Sequence, residues 1–187
     1  FKTELIQSPT DFFELSQEEN RIVIKGNTWV NIATGLNWYL KYHAGIHLTW
    51  NNMTANLPER LPQVTQTERH ETDLKLRYDF NYCTFSYSMA FWDWERWQTE
   101  IDWMALHGVN LPLAIVGEEV AWRNMLLKLG YTKKEIGKFI AGPAFLAWWE
   151  MNNLEGWGGP LPDSWYKQQE TLQKKILQRM HEYGMEP

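Results

Sequence analysis

The chain has 187 residues and a formal net charge of -5 at neutral pH, with Lys and Arg interspersed among Asp and Glu. This leaves no basic stripe to neutralise a phosphate backbone, so nucleic acid is not an expected partner. No apolar run approaches the roughly 20 residues that a membrane-spanning helix needs, so no span is predicted. The single cysteine, Cys83, excludes an internal disulfide and a cysteine-built zinc site.

Tryptophan is the unusual component of this sequence, which contains 12 of them. An indole ring has a flat apolar face and one polar edge, which suits a ligand that presents both C–H groups and hydroxyls, as sugars do. A core that is merely rich in tryptophan would explain the same count. Composition alone therefore leaves both interpretations open.

Residues 1–62 are predicted to form a small α/β domain with the element order β-β-α-β. Two apolar-rich runs, 12–15 and 21–24, flank a polar segment and predict a hairpin. Apolar residues at helical spacing follow Thr28, which can cap a helix, and a strand is predicted at 46–50. One helix packed on one sheet makes a two-layer domain.

The domain boundary is placed between residues 62 and 63, within a mostly polar, proline-containing stretch at 51–72. Beyond it, strands and helices alternate. A strand is predicted at 74–82, a helix from Asp93, and a near-continuous apolar strand at 109–116. This order predicts a parallel βαβ unit.

The rest of the chain is predicted to be largely helical. A helix follows Gly117, and Thr132-Lys133-Lys134-Glu135 has the form of a capping box that begins another. A short tryptophan-bearing helix at 144–150 and a Gly- and Pro-rich stretch at 152–163 precede a long helix from Ser164.

Two β/α units and the start of a third predict the first part of a truncated (β/α)8 barrel, residues 63–187. Two parallel strands cannot close a barrel, so the remainder of the barrel is an expected partner. In such barrels the functional groups lie at the C-terminal ends of the strands and in the following loops. Here those places are 81–87, 116–122 and the long stretch 142–162.

Glu118 and Glu119 stand at the end of the second barrel strand. Neighbouring side chains diverge, whereas glycoside hydrolysis places two carboxyl groups about 5 to 10 Å apart across one bond. At a helix start the pair is better explained by the helix dipole, with a substrate or supporting contact left open for Glu119. No metal site is predicted, because Gly45 interrupts the spacing of His43 and His47.

The remaining candidates are a thiol and several indoles. Cys83 has no nearby histidine to activate it and is interpreted as a small, half-buried residue that shapes a pocket. Trp148 and Trp149 lie on the long loop, where one can face a ligand and the other the protein. The spacing of three further tryptophans is typical of core or helix packing: Trp92, Trp94 and Trp97.

Four stretches carry a specific resemblance to a known family. They are Asn81-Tyr82-Cys83-Thr84-x-Ser86-Tyr87-Ser88, Trp92-Asp93-Trp94-Glu95-Arg96-Trp97-x-x-Glu100-Ile101-Asp102-Trp103-Met104-Ala105-Leu106-x-Gly108-Val109-Asn110, Gly142-Pro143-Ala144-Phe145-Leu146-Ala147-Trp148 and Gly159-Pro160-Leu161-Pro162-x-Ser164-Trp165. They cover most of residues 78–187 and resemble the α-N-acetylglucosaminidase family. The segment before them fits that family's small N-terminal domain in size and pattern.

The resemblance implies a retaining hydrolase that removes terminal α-linked N-acetylglucosamine without a cofactor or metal. It implies two catalytic glutamates on later barrel strands, neither of them in this sequence. By position it implies Asn81, Cys83 and Trp148 as substrate contacts, together with Glu119. The family's Gln-Glu pair after the second strand stands here as Glu118-Glu119.

The implied partners are a glycan that ends in N-acetylglucosamine, the remainder of the barrel and a C-terminal domain. An exported location is expected: periplasm, cell surface or secreted in bacteria, and the lysosome in a eukaryote. A carbohydrate-binding or scaffolding fragment without catalysis is the alternative. A tryptophan-rich helical adaptor is a third interpretation, and it predicts that 109–116 is not a strand.

Overall fold

A computed structural model describes residues 1–187. It contains six strands: β1 (Lys2–Leu5), β2 (Asp11–Glu18), β3 (Arg21–Gly26), β4 (Glu68–Thr72), β5 (Tyr78–Asp79) and β6 (Leu111–Pro112). The helices are α1 (Trp29–Tyr42), α2 (Tyr82–Ser86), α3 (Trp94–Leu106), α4 (Glu118–Lys128), α5 (Lys133–Phe139), α6 (Leu146–Glu150) and α7 (Asp163–Tyr183). A 3-10 turn, Pro143–Phe145, precedes α6. The chain is thus of mixed α/β composition.

The chain forms two compact units that each draw on separate segments. The first unit contains residues 1–79, 98–112 and 179–187, and the second contains 80–97 and 113–178. Because each unit is assembled from several segments, neither corresponds to a single cut in the sequence. The predicted boundary between residues 62 and 63 stays a prediction.

The first unit contains a four-stranded sheet with the order β1-β3-β2-β4. The predicted hairpin is confirmed, because β2 and β3 pair antiparallel with Leu15 opposite Ile24. The predicted helix is also confirmed: α1 begins after Thr28, whose side chain accepts a hydrogen bond from the Asn31 amide. The sheet and α1 bury a shared core that includes Leu15, Ile24 and Tyr39.

The layout of this sheet differs from the predicted β-β-α-β order. Residues 46–50 do not form a strand, and only an isolated bridge joins Thr49 to Asn52. Leu48 is buried in the core and the Trp50 indole donates to the Glu100 carboxylate, at 2.8 Å from Oε2. The apolar residues of this run therefore anchor a loop instead of extending the sheet.

The sheet gains two strands that the sequence analysis did not predict. β1 pairs parallel with β3, and β4 pairs antiparallel with β2. β4 lies in the stretch interpreted as a linker. It was missed because it packs through polar side chains: His70 stacks on Phe13 at 4.8 Å, and the Arg69 guanidinium lies 3.7 Å from the Phe12 ring centre.

β5 and β6 form a second, two-stranded sheet. They pair in parallel, with Tyr78 opposite Leu111 and Asp79 opposite Pro112, so the predicted direction is confirmed. The predicted lengths, 74–82 and 109–116, are wrong. Pro112 is the last residue of β6, and it has no amide hydrogen to donate to a neighbouring strand.

Helices make up the second unit. The capping box that begins α5 is confirmed, with reciprocal hydrogen bonds between Thr132 and Glu135. The Asp93 carboxylate accepts from the Arg96 amide at the start of α3, as its predicted capping role requires. A hydrophobic core joins residues from α4, α5, α6 and α7 and from the segment directly after α5: Val120, Ile136, Ile140, Ala141, Trp149 and Tyr166.

Candidate functional site

The segment after β5 begins the short helix α2. Asn81 is its N-cap, in extended conformation, and its side-chain oxygen accepts from the Thr84 amide at 3.3 Å. The Thr84 hydroxyl donates in return to the Asn81 carbonyl at 2.7 Å. Asn81 is exposed, so its side-chain NH2 group can be reached from solvent. This amide can therefore donate to a ligand.

Cys83 occupies the first turn of α2. Its thiol is free and half-buried, and its carbonyl accepts from the Tyr87 amide at 3.2 Å. The predicted half-burial is confirmed. A sulfur in this position is small enough to leave space beside it, which is what a pocket wall next to a ring requires.

The two neighbouring tryptophans of α6 have different surroundings. Trp149 is buried and packs edge-on against Trp122 and Phe139, at ring-centre distances of 5.5 and 5.4 Å. Trp148 is half-buried and meets the ring of exposed Tyr87 edge to face at 5.1 Å. One indole thus faces the protein, as predicted, and the other is partly exposed. That the second indole faces a ligand stays a prediction.

α2 and α6 pack against each other within the second unit. Asn81 and Cys83 therefore lie on one helix of a packed pair, and Trp148 lies on the other. The joining contacts include a buried hydrogen bond between Ser86 and the Ala147 amide. The structure thus places three of the four predicted site residues on neighbouring helices.

Glu119, the fourth predicted residue, is buried in the first turn of α4 with 2% of its surface exposed. Its carboxylate accepts from the Trp165 indole N–H at 2.8 Å. Burial raises the pKa of Glu119, the Trp165 hydrogen bond opposes that rise, and the charge of Glu118 adds to it. The Glu119 carboxylate is therefore held in place by a hydrogen bond from within the protein.

Glu119 lines a recess of about 40 Å³, enough for a water molecule or two but not for a sugar ring. Glu150, at the end of α6, lines the same recess. Burial, followed by the charges of Glu118 and Glu119, raises the pKa of Glu150 to about 8. At neutral pH Glu150 is therefore mostly protonated, which relieves the repulsion among the three carboxyl groups.

Burial also raises the pKa of Glu118, and its Oε2 atom is buried without a hydrogen-bond partner. Glu118 and Glu119 were candidates from the sequence, whereas Glu150 was not predicted. The available signal was a lone acidic residue directly after the buried Trp149. Such a residue at the end of an apolar helical turn is paired, protonated or exposed.

The other tryptophans divide between core and surface. Trp97 is buried beneath Phe85 and Phe80, as expected for a core residue. Trp94 is half-buried and lines an open groove of about 480 Å³ together with Trp165. Helical spacing identified the buried ring correctly but could not show that its neighbour lines a groove.

A parallel strand pair, with aromatic and carboxyl side chains in the segments that follow each strand, is the arrangement found in (β/α)8 barrel enzymes. Residues 77–187 match the family model described as the alpha-N-acetylglucosaminidase tim-barrel domain, and residues 1–63 match that family's N-terminal domain. The chain belongs to the alpha-N-acetylglucosaminidase family.

Individual relatives agree with this assignment. Over 167 residues, 89% of this chain, the sequence is 47% identical to human alpha-N-acetylglucosaminidase. A family 89 glycoside hydrolase from Clostridium perfringens, solved with 2-acetamido-1,2-dideoxynojirmycin, matches 99% of the chain at 38% identity and a TM-score of 0.94. A doubly substituted GH89 from Clostridium perfringens, in complex with its substrate GlcNAc-alpha-1,4-galactose, matches with a TM-score of 0.93.

The chain spans only part of these relatives. It covers 22% of the human enzyme and 21% of the Clostridium perfringens structures. None of its helices has both the length and the apolar character needed to cross a bilayer.

Proposed function

We propose that the complete protein carrying this chain is a glycoside hydrolase that removes terminal α-linked N-acetylglucosamine from glycans, with retention of configuration. The two catalytic glutamates lie outside these 187 residues. Family membership supports the class of enzyme, and the complex of the Clostridium perfringens relative with GlcNAc-alpha-1,4-galactose supports the class of substrate.

Within this chain we assign one wall of the sugar pocket to Asn81, Cys83 and Trp148. The packing of α2 on α6 carries this assignment, because it holds all three residues on two adjoining helices. The exposed Asn81 amide donates to a sugar hydroxyl, Cys83 leaves room beside the ring, and the Trp148 indole supplies an apolar face.

We assign Glu119 a supporting role, because its recess is also lined by Phe85 of α2 and Glu150 of α6. Its recess is too small for a sugar ring, so its contact with substrate passes through a water molecule or a neighbouring side chain. For the same reason the three carboxyl groups Glu118, Glu119 and Glu150 are not assigned to the catalytic pair. A retaining mechanism needs two carboxyl groups about 5 Å apart on either side of a bound glycosidic bond.

The alternative is that these residues bind carbohydrate or scaffold the rest of the protein and do no chemistry. The proposal and this alternative both expect no catalysis from the isolated chain, but only the proposal expects catalysis from the complete protein. The isolated chain and the complete protein are therefore each assayed on an aryl α-N-acetylglucosaminide. We expect turnover from the complete protein only, and turnover by the isolated 187 residues would contradict the assignment of both catalytic glutamates to other segments.

Trp148→Ala tests the pocket assignment in the complete protein. Loss of an accessible indole face should weaken sugar binding by about 1 to 3 kcal/mol, a rise in KM of roughly 5- to 150-fold. Trp29→Ala is the matched control, because Trp29 is also exposed but belongs to α1 in the first unit. An unchanged KM and kcat in Trp148→Ala would remove this residue from the pocket.

A further inference from the structure

Ser86, at the end of α2, joins two segments of the second unit through one buried hydroxyl. Its side chain donates to the Pro143 carbonyl at 3.1 Å and accepts from the Ala147 amide at 2.9 Å. Only 5% of the Ser86 surface is exposed, and Ala147 is fully buried. Water therefore cannot take over these two hydrogen bonds without a structural opening.

The hydroxyl supplies a cap that the chain around α6 lacks. Gly142 precedes the 3-10 turn and Phe145 precedes α6, and neither provides a side-chain cap. The first amides of a helix have no partner within the helix and need an acceptor from elsewhere. Ser86 provides that acceptor from a different helix, 61 residues away in sequence.

Tyr87, the residue directly after α2, makes the second contact. The Tyr87 ring meets the Trp148 ring edge to face at 5.1 Å, in a nearly perpendicular arrangement. Two consecutive residues at the end of α2 thus hold two consecutive residues of α6. Ser86 acts on the buried backbone, and Tyr87 acts on the accessible indole.

We propose that Ser86 is a positioning residue for the sugar pocket: its hydroxyl fixes the start of α6 against α2 and so sets where Trp148 stands relative to Asn81 and Cys83. This inference rests on the proposed function. Ser86 does not contact the sugar in this proposal, but it determines whether the Trp148 indole does.

The test uses the complete protein and the aryl α-N-acetylglucosaminide assay. We expect Ser86→Ala to raise KM about tenfold, because a Trp148 ring that is held less firmly in place makes a poorer contact with the sugar. Ser86→Thr keeps the hydroxyl and should restore most of the wild-type KM. Ser88→Ala is the matched control, since Ser88 is exposed and lies two residues further on.

A double variant separates positioning from general stability. If Ser86 acts through Trp148, Ser86→Ala combined with Trp148→Ala should raise KM no more than Trp148→Ala alone. Multiplying effects, or a lower melting temperature at an unchanged KM, would overturn the proposal. If Ser86→Ala does not fold, Ser86→Cys is used; it is similar in size with weaker hydrogen bonds, and an unchanged KM there overturns the proposal equally.

Failure of the proposed function has a different signature. A wild-type protein that does not turn over any α-N-acetylglucosaminide refutes the hydrolase assignment. An active wild-type protein whose KM is indifferent to Ser86 refutes only the positioning role.

Discussion

Replacing Glu150 with glutamine should prevent a large part of the fall in unfolding free energy that the protein shows as the pH rises. Burial and the charges of Glu118 and Glu119 raise the pKa of Glu150 from 4.5 to about 8, so the folded protein holds this proton more tightly than the unfolded chain. The stability that the proton contributes is fully present below pH 4.5 and is lost as the pH rises through 8.

The structure sets the size of this effect. One pKa unit corresponds to about 1.4 kcal/mol, so a rise from 4.5 to about 8 corresponds to about 5 kcal/mol across the whole window. Glu150 keeps part of its surface in contact with solvent, which screens the neighbouring charges. We therefore expect a measured loss of about 2 to 4 kcal/mol in the wild type between these limits.

The assay is urea unfolding of the complete protein and of Glu150→Gln at several values between about pH 5 and about pH 9. Glutamine keeps the shape of the side chain and cannot ionise, so the variant should gain stability over the wild type as the pH rises. Glu155→Gln, which alters an exposed glutamate, controls for the loss of one negative charge. Unfolding curves whose separation is the same at every pH would refute the reasoning.

Three further substitutions test contacts within the second unit. Trp165→Phe removes the donor to buried Glu119 and should lower the free energy of unfolding by about 1 to 3 kcal/mol; an unchanged urea midpoint would contradict this. Gly142→Ala places a Cβ against the Gly158 carbonyl, so the melting temperature should fall by the equivalent of about 1 to 3 kcal/mol, and a wild-type value would show that the loop yields freely. Thr132→Ala removes a capping box and should cost about 0.5 to 2 kcal/mol, with faster amide exchange confined to α5.

The sequence predicted six of the seven helices, all except α2, because their starting signals are local. Thr28, Asp93 and Thr132 each accept from an amide three residues further on, so the cap and the helix that it begins lie in one short window. A local signal of this kind needs no knowledge of the rest of the fold. The first residues of α1, α3 and α5 follow from it.

The strands were harder to predict because their partners lie elsewhere in the chain. β4 contains no large apolar residue, and it belongs to the sheet because β2 offers Phe12 and Phe13 to the stems and rings of Arg69 and His70. A pattern of apolar residues cannot reveal such a strand. Conversely, the apolar run at 46–50 predicted a strand where the structure uses Leu48 as an anchor.

The same distinction applies to the candidate site. Family resemblance and position after a strand or on the long loop were enough to select Asn81, Cys83 and Trp148. Neither criterion depends on the tertiary contacts of these residues. Ser86 and Glu150 were missed because their roles depend on groups far away in sequence: the Ala147 amide for one and the α4 carboxyl groups for the other. Ser86 and Glu150 are the last residues of the packed helices α2 and α6. A substitution at either residue therefore alters the packing of these helices and affects the sugar contacts only through that packing. Stability and KM must therefore be measured together for every variant on these two helices, since a rise in KM identifies a sugar contact only where the unfolding free energy is unchanged.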